Sequence, residues 1–275
     1  MNILHVVILV ELAFIVILFL LALHFRRRYE TIKLNFKGPL KSRWARDFDA
    51  RFRETELGPT LDAEATLVGA GTGSFGSTSD TEAWVLGCLA RNARQVFEFG
   101  TATGRTTYIL AKNAHSEGKV TTITLSPDEL AAYTGESSDS NLAVEKALLE
   151  SRYSAFLYQG TDVADRVEQL YGDSKQLDES PYLGRCELIF IDGAHTYSYI
   201  RSDSEKALRM VKPGGFILWH DYRGRHVRPT RDVYRYLNEL SQRLPLTHLR
   251  GTSLVAYRAP LDNSDVSRTP APESA

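Results

Sequence analysis

The run Val96-Phe97-Glu98-Phe99-Gly100-Thr101-Ala102-Thr103-Gly104-Arg105 constrains the fold more than any other part of the chain. It predicts a short apolar strand ending in an acid, a glycine-punctuated turn, and a helix from Arg105 to about Ala114. Gly100 and Gly104 allow a tight turn and a close approach of backbone to a ligand. The helix start then offers free N–H groups and the positive end of a dipole. At the carboxyl edge of a parallel sheet, such a turn is where nucleotide-like ligands sit. The spacing lacks the third glycine of the dinucleotide fingerprint Gly-x-Gly-x-x-Gly, which disfavours a nicotinamide dehydrogenase. An ordinary βα turn with glycines is the plain alternative.

Around this unit the pattern alternates strands and helices. A helix over 80–92 is opened by Ser79 or Asp80 as N-cap. Strands are expected at 95–99, 119–125, 155–158, 187–191 and 216–219, with two closing strands near 246–250 and 253–257. Helices are expected at 105–114, 141–150, 163–171, 199–211 and 231–242, and Lys212-Pro213-Gly214-Gly215 stops the fourth of these. Apolar strands alternating with helices imply an α/β, Rossmann-like, doubly wound and mostly parallel sheet covered on both faces.

The amino terminus reads differently. Ile3 to Phe25 is apolar except at His5, Glu11 and His24. As a helix it spans about 34 Å, enough for a bilayer core of about 30 Å. No Lys or Arg precedes it and no small-x-small cleavage site follows, so an uncleaved transmembrane anchor is expected. Arg26-Arg27-Arg28 follows at once, which by the positive-inside rule puts the amino terminus outside and the domain in the cytoplasm. Glu11 in mid-span marks a helix–helix contact or has no role. Residues 26–46 hold eight Lys/Arg against one acid, Glu30, a segment suited to anionic head groups or to fixing topology. Trp44, Phe48 and Phe52 recur at four-residue spacing and predict an amphipathic helix, packed on the domain or lying on the membrane.

Four parts follow: an anchor over 1–25, a basic connector over 26–60, a globular domain over 61–258, and a Pro/Ser/Asp-rich tail over 259–275 expected to be disordered. A net charge of −1 gives no global argument for a nucleic-acid partner. Cys88 and Cys186 sit in apolar runs far apart, as reduced cytosolic thiols do, and no Cys/His cluster has zinc spacing.

Two more segments carry chemistry: Ile189-Phe190-Ile191-Asp192-Gly193-Ala194-His195-Thr196-Tyr197, and Leu208 to Tyr222, LRMVKPGGFILWHDY. Asp192 and Asp221 each fall just past a strand end, on the same edge as the Gly100–Gly104 turn. Two carboxylates converging there suit a divalent cation such as Mg²⁺, which would lower the pKa of a bound hydroxyl. The alternative is that Asp192 caps the next helix and Asp221 merely ends a strand. His195 and His220 are general-base candidates because imidazole titrates near neutrality. His226, in the Arg-rich loop RGRHVRP, belongs to a substrate cover, an anion site or a solvated loop.

With VFEFGTATG, these segments resemble class I S-adenosylmethionine-dependent methyltransferases, in their small-molecule O-methyltransferase branch, from roughly Ser79 to Tyr257. The resemblance implies S-adenosylmethionine as cofactor. Glu98 would orient the turn and the methionine amino group, and Gly100, Thr101 and Gly104 would line the methionine and ribose. Thr78, Ser79 and Thr81 would reach the carboxylate from the loop GTGSFGSTSD, and Asp162 falls where the adenine is often contacted. In metal-dependent relatives the acids matching Asp192 and Asp221 are ligands; Tyr222 stands where an amide ligand is usual. Thr124 stands where relatives place the acid that accepts the ribose hydroxyls, with Asp128 or Glu129 as substitutes from the loop. The expected function is a membrane-anchored methyltransferase acting on a small or lipid- or glycan-linked hydroxyl, with Asp192, His195 and Asp221 activating the acceptor. The Thr124 departure sustains a second expectation, a non-catalytic scaffold of the same fold. A hydroxylase-like or hydrolytic use of the acid pair is a further alternative.

Overall fold

The computed structural model describes residues 2–32, 38–68, 78–133 and 135–261. In chain order it contains α1 (Ile3–Ile32), β1 (Lys41–Arg43), α2 (Ala45–Phe48), β2 (Glu54–Thr55), β3 (Gly58–Pro59), α3 (Asp80–Ala90), β4 (Gln95–Phe99), α4 (Arg105–Asn113) and β5 (Lys119–Thr124). Then follow α5 (Pro127–Ala132), α6 (Asn141–Glu150), β6 (Val167–Tyr171), β7 (Cys186–Ile191), α7 (Tyr197–Met210), β8 (Val211–Trp219), α8 (Arg231–Leu240), β9 (Thr247–Leu249) and β10 (Val255–Arg258).

Eight strands form one sheet in the order β1-β9-β10-β8-β7-β4-β5-β6. Pairing is parallel from β8 through β6, and β10 runs antiparallel to both β8 and β9. This is the mostly parallel, Rossmann-like sheet the strand–helix alternation predicts. Side-chain alternation divides the core between the faces. Phe97, Phe99, Ile189, Ile191, Ile217 and Trp219 pack with α7 and α8. Val96, Val120, Leu188, Phe190 and Leu218 pack with α3 and α4.

Register sets the site. Phe99 lies opposite both Ile123 and Ile191, and Ile191 lies opposite Trp219. The next residues, Thr124, Gly100, Asp192 and His220, therefore emerge side by side at one sheet edge. Gly100 has φ +97°, and a Cβ there would meet the Asp192 carbonyl oxygen at 2.3 Å. Its N–H donates to Ile123 O at 2.9 Å, and Asp192 N–H donates to Phe99 O at 2.9 Å. Glycine is required because three strand ends close on one another here.

Four expectations need correction. No strand forms at 155–158; Phe156 and Tyr158 stack at 5.7 Å instead, and they fill the space a Cβ on Gly104 would need. Nor is 163–171 helical: a 3-10 turn at Ala164–Arg166 leads into the strand Val167–Tyr171, which pairs parallel with β5 at the sheet edge. The strand expected at 216–219 begins earlier, at Val211, so that Lys212-Pro213-Gly214-Gly215 lies within β8. Trp44, Phe48 and Phe52 do not share one helix, because the chain breaks at Asp49, which accepts from Arg51 N–H at 3.0 Å and caps a short 3-10 turn. Phe52 is buried edge-on against Trp84 at 5.2 Å, so this segment packs on the domain.

α1 is apolar over His5–Tyr29 and its side chains are exposed, as no other long helix of the described residues is. By length and composition it could cross a bilayer. The tail beyond 261 and the loop over 69–77 lie outside the described residues.

Candidate functional site

A cavity opens at the sheet edge between β4, β5 and β7. Its walls are Gly100 and Ala102 of the turn, Thr124 and Leu125 of β5 and its exit, and Asp192, Gly193 and Ala194 after β7. Ala147, Glu150 and Ser151 of α6 close one side; Ser174, Tyr199 and Asp203 close another. The cavity is partly open to solvent.

Glu98 lies beneath the turn rather than in the cavity wall. Thr107 Oγ1 donates to its Oε2, while Oε1 is buried with no hydrogen-bond partner. Burial pushes the Glu98 carboxyl up to about 8, against the hydrogen bonds from Thr107 and Thr122, so it is largely protonated at neutral pH. Thr101 bonds Thr122 at 2.8 Å below the turn. Gly104 takes φ +74° and starts α4 without a side-chain cap. Thr124 is buried at the β5 end and faces the cavity. Glu129 caps α5 together with Ser126, at 2.8 Å, and Asp128 is exposed. Asp162 is on the surface, ion-paired with Lys112, away from the residues lining the cavity.

Ser79 caps α3 in a reciprocal box with Glu82. Next to it, Arg105 donates to Val68 O at 2.8 Å, to Thr78 O at 2.7 Å and to Asp80 at 3.2 Å. One buried guanidinium thus ties Val68 to Thr78 and Asp80.

The acid–histidine cluster lies beside the cavity. Asp192, His195 and Asp221 place one ligand atom each within 4.8 Å of one another, the donor types and spacing of a cation site. Asp221 holds φ +63°, a left-handed conformation rare for a residue with a side chain, of the kind that concentrates at functional sites. Asp192 Oδ1 faces His220 Nδ1 at 3.0 Å, and His220 Nε2 faces Glu82 Oε2 at 3.3 Å. Burial alone would lower the proton affinity of His220, but Asp192, Asp221 and Glu82 hold it well above the ordinary imidazole value. With carboxylates on both ring nitrogens, His220 is an imidazolium held in place, not a free base. His195 Nε2 lies 2.8 Å from Asp221 Oδ2, and its pKa too is raised, against burial and the Lys146 charge, by bonds to Asp192 and Asp221. Asp192 would be raised by burial but is held below the usual range by His220 and His195.

Four charged residues unforeseen in the sequence complete the cluster. Lys146 Nζ sits 2.5 Å from Asp221 Oδ2, 2.9 Å from His195 Nε2 and 3.2 Å from Glu150 Oε1. Any metal ion bound there would have to displace this ammonium. Arg223 Nε donates to Asp221 Oδ1 at 2.7 Å. Glu82 also accepts from Ser253 N–H and Oγ at 2.6 and 2.7 Å. The Ser-x-x-Glu box that opens α3 was a visible signal for Glu82. The i,i+4 pair Lys146/Glu150 was a signal only for an exposed helix pair. Tyr222 turns away from the acids, its hydroxyl donating to Asn238 at 2.9 Å. His226 is outside the cluster, beside Arg225 at 3.2 Å.

Residues 97–222 match the family described as a methyltransferase domain. No protein of curated function matches the chain. Among solved structures, the chain is similar to a cofactor-bound protein, Rv0187 from MTB, with 22% identity over 73% of this chain and 85% of that one, TM-score 0.45. It is similar to the O-methyltransferase TomG from Streptomyces achromogenes, solved in complex with SAM, with 20% identity, 68% and 82% coverage, TM-score 0.45. SAH-bound methyltransferase PaMTH1 from Podospora anserina gives 16% identity, 68% and 81% coverage, TM-score 0.48. These overlaps are loose, and the family match covers residues 97–222 of the 275.

Proposed function

We infer that this chain, which carries a methyltransferase domain over residues 97–222, is a class I S-adenosylmethionine-dependent methyltransferase whose acceptor is an oxygen of a small molecule. The observation that carries the reading is the convergence at one sheet edge: the Gly100 turn, Thr124 and Asp192 line one cavity, with His195 and Asp221 directly behind it. Gly100, Ala102 and Thr124 would hold the methionine and ribose side of the cofactor.

Methyl transfer is an in-line displacement, so positioning supplies much of the rate. The acceptor oxygen forms the new C–O bond while the C–S bond breaks, its electron pair remaining on sulfur. The hydroxyl proton passes to Asp192, the carboxylate in the cavity wall. A weak base suffices because an oxygen acquiring a methyl becomes strongly acidic as the bond forms. His220 and His195 fix the Asp192 and Asp221 carboxylates in this arrangement. The alternative scaffold role is favoured by Thr124 alone, a neutral hydroxyl at the strand end expected to carry an acid.

Mg²⁺ assistance is a second reading, favoured by the spacing of Asp192, His195 and Asp221; such an ion would polarise the acceptor oxygen. Anchoring through α1, with the domain on the cytoplasmic side and a lipid- or glycan-linked acceptor, belongs to the same proposal and is supported by the length and apolarity of that helix.

Calorimetric titration of the detergent-solubilised chain with S-adenosylmethionine and S-adenosylhomocysteine tests the reading. Micromolar binding that Gly100→Arg abolishes supports it; no binding by a folded chain sinks it and leaves the scaffold role.

A further inference from the structure

The Lys146 ammonium stands among the groups that would otherwise hold a cation. Four carboxylates meet in the cluster: Glu82, Glu150, Asp192 and Asp221. They face two fixed cations, Lys146 and Arg223, and two histidines, His195 and His220. Lys146 and Arg223, both in contact with Asp221, thus already set two positive charges against these carboxylates without any added ion. A divalent ion added to the cluster would have to share Asp221 and His195 with the Lys146 ammonium, and like charges so close in a buried site are costly.

Geometry agrees with this count. Lys146 Nζ touches Asp221 and His195, two of the three donors a metal would need, and Glu150 one turn along α6 holds it from the other side. The lysine side chain is 17% exposed, so it is largely withdrawn from water. Its helix is also a wall of the cavity, through Ala147, Glu150 and Ser151. The ammonium is thus presented to the same acids whose partner, Asp192, reaches the ligand space.

We propose that Lys146 is the resident cation of the Asp192/Asp221 pair, in place of a divalent ion, and that its fixed positive charge stands behind Asp192 during methyl transfer. This rests on the methyl-transfer reading. Lys146 keeps its proton throughout: the acceptor oxygen bonds the methyl carbon, the C–S electron pair stays on sulfur, the hydroxyl proton goes to Asp192, and the ammonium supplies only charge. A phenolic or enolic hydroxyl fits such a group, because the negative charge that develops on its oxygen as the proton leaves is the one a fixed ammonium stabilises.

The test is Mn²⁺ binding to the full chain in detergent, read by electron paramagnetic resonance, with and without saturating S-adenosylhomocysteine. The wild-type chain should take up no stoichiometric Mn²⁺ up to millimolar concentration, and Lys146→Arg should behave alike. Lys146→Ala removes a charge in contact with two donors and should gain one Mn²⁺ site at least about tenfold tighter, lost again when Asp221→Asn is added. One equivalent of Mn²⁺ on the wild-type chain, abolished by Asp221→Asn, would overturn the proposal. A folded Lys146→Ala chain that gains no site would count equally against it. Calorimetry with S-adenosylhomocysteine on the same samples separates the two ideas: exclusion of Mn²⁺ without cofactor binding keeps Lys146 as the resident cation and removes the transfer step.

Discussion

Glu98 shows how far a familiar motif can mislead about the state of a side chain. In the sequence it is the acid that ends a strand, and an acid there suggests a carboxylate facing a ligand. In the fold it is buried under the turn, one oxygen bonded to Thr107 and the other without a partner. Its pKa rises from an ordinary carboxyl value to about 8. The folded state therefore binds a proton the unfolded chain has released, and this raised group loses stability for the fold as pH climbs from about 4.5 through 8. Glu98→Gln should consequently stabilise the protein, by roughly 1–3 kcal/mol at pH 9 and less at pH 6, in urea unfolding at the two pH values. A gain independent of pH would show that Glu98 is ionised in the native state. Asp203, buried by the cavity with Oδ1 unpartnered and raised to about 7, adds to the same slope. Lys146 was illegible for a different reason. Its partner Asp221 is 75 positions away, and no local pattern distinguishes a lysine turned into a site from one turned to water.

The elements that could be read were those whose burial is uniform. β4, β7 and β8 are nearly continuous apolar runs because helices cover both faces, and the glycine turn follows from the close approach of strand ends. β6 has the sequence VEQLY and sits at the sheet edge, half-buried and without an apolar run, so its strand character comes from pairing with β5. The apolar run Ala155–Tyr158 looks more like a strand, yet its rings serve to pack Gly104. Two elements also carry tests. Arg105 ties Val68 to Thr78 and Asp80, so Arg105→Met should weaken S-adenosylmethionine binding about tenfold or more through the loss of buried charge-assisted hydrogen bonds, measured by calorimetry; unchanged affinity would mean that this tie takes no part. α6 forms one side of the cavity, so S-adenosylhomocysteine should alter amide hydrogen exchange in Asn141–Glu150 more than in α8. Equal protection in both helices would argue that the ligand lies outside α6.

Taken as one body, the chain ties its apolar helix to its sheet through an edge strand. β1 pairs parallel with β9, Lys41 opposite Thr247 and Arg43 opposite Leu249, and Leu40 beside it is buried in the core. A chain beginning at residue 38 should therefore stay folded and no longer need detergent, whereas one beginning at residue 44 should lose the edge strand and melt lower, by several degrees if the loss is about 1 kcal/mol. Thermal melts of the two, monitored by circular dichroism, check this; equal melting temperatures would mean that β1 adds nothing to the sheet.

The same edge strand determines how far the domain can stray. Only residues 33–40 separate the end of α1 from the start of β1, a leash of at most roughly 30 Å when fully drawn out. Were α1 in a bilayer, as proposed, the cavity edge would be confined to a shallow layer above the lipid. An acceptor that shares that layer is met at a local concentration fixed by the leash rather than by its abundance in bulk. A freely diffusing acceptor receives no such advantage.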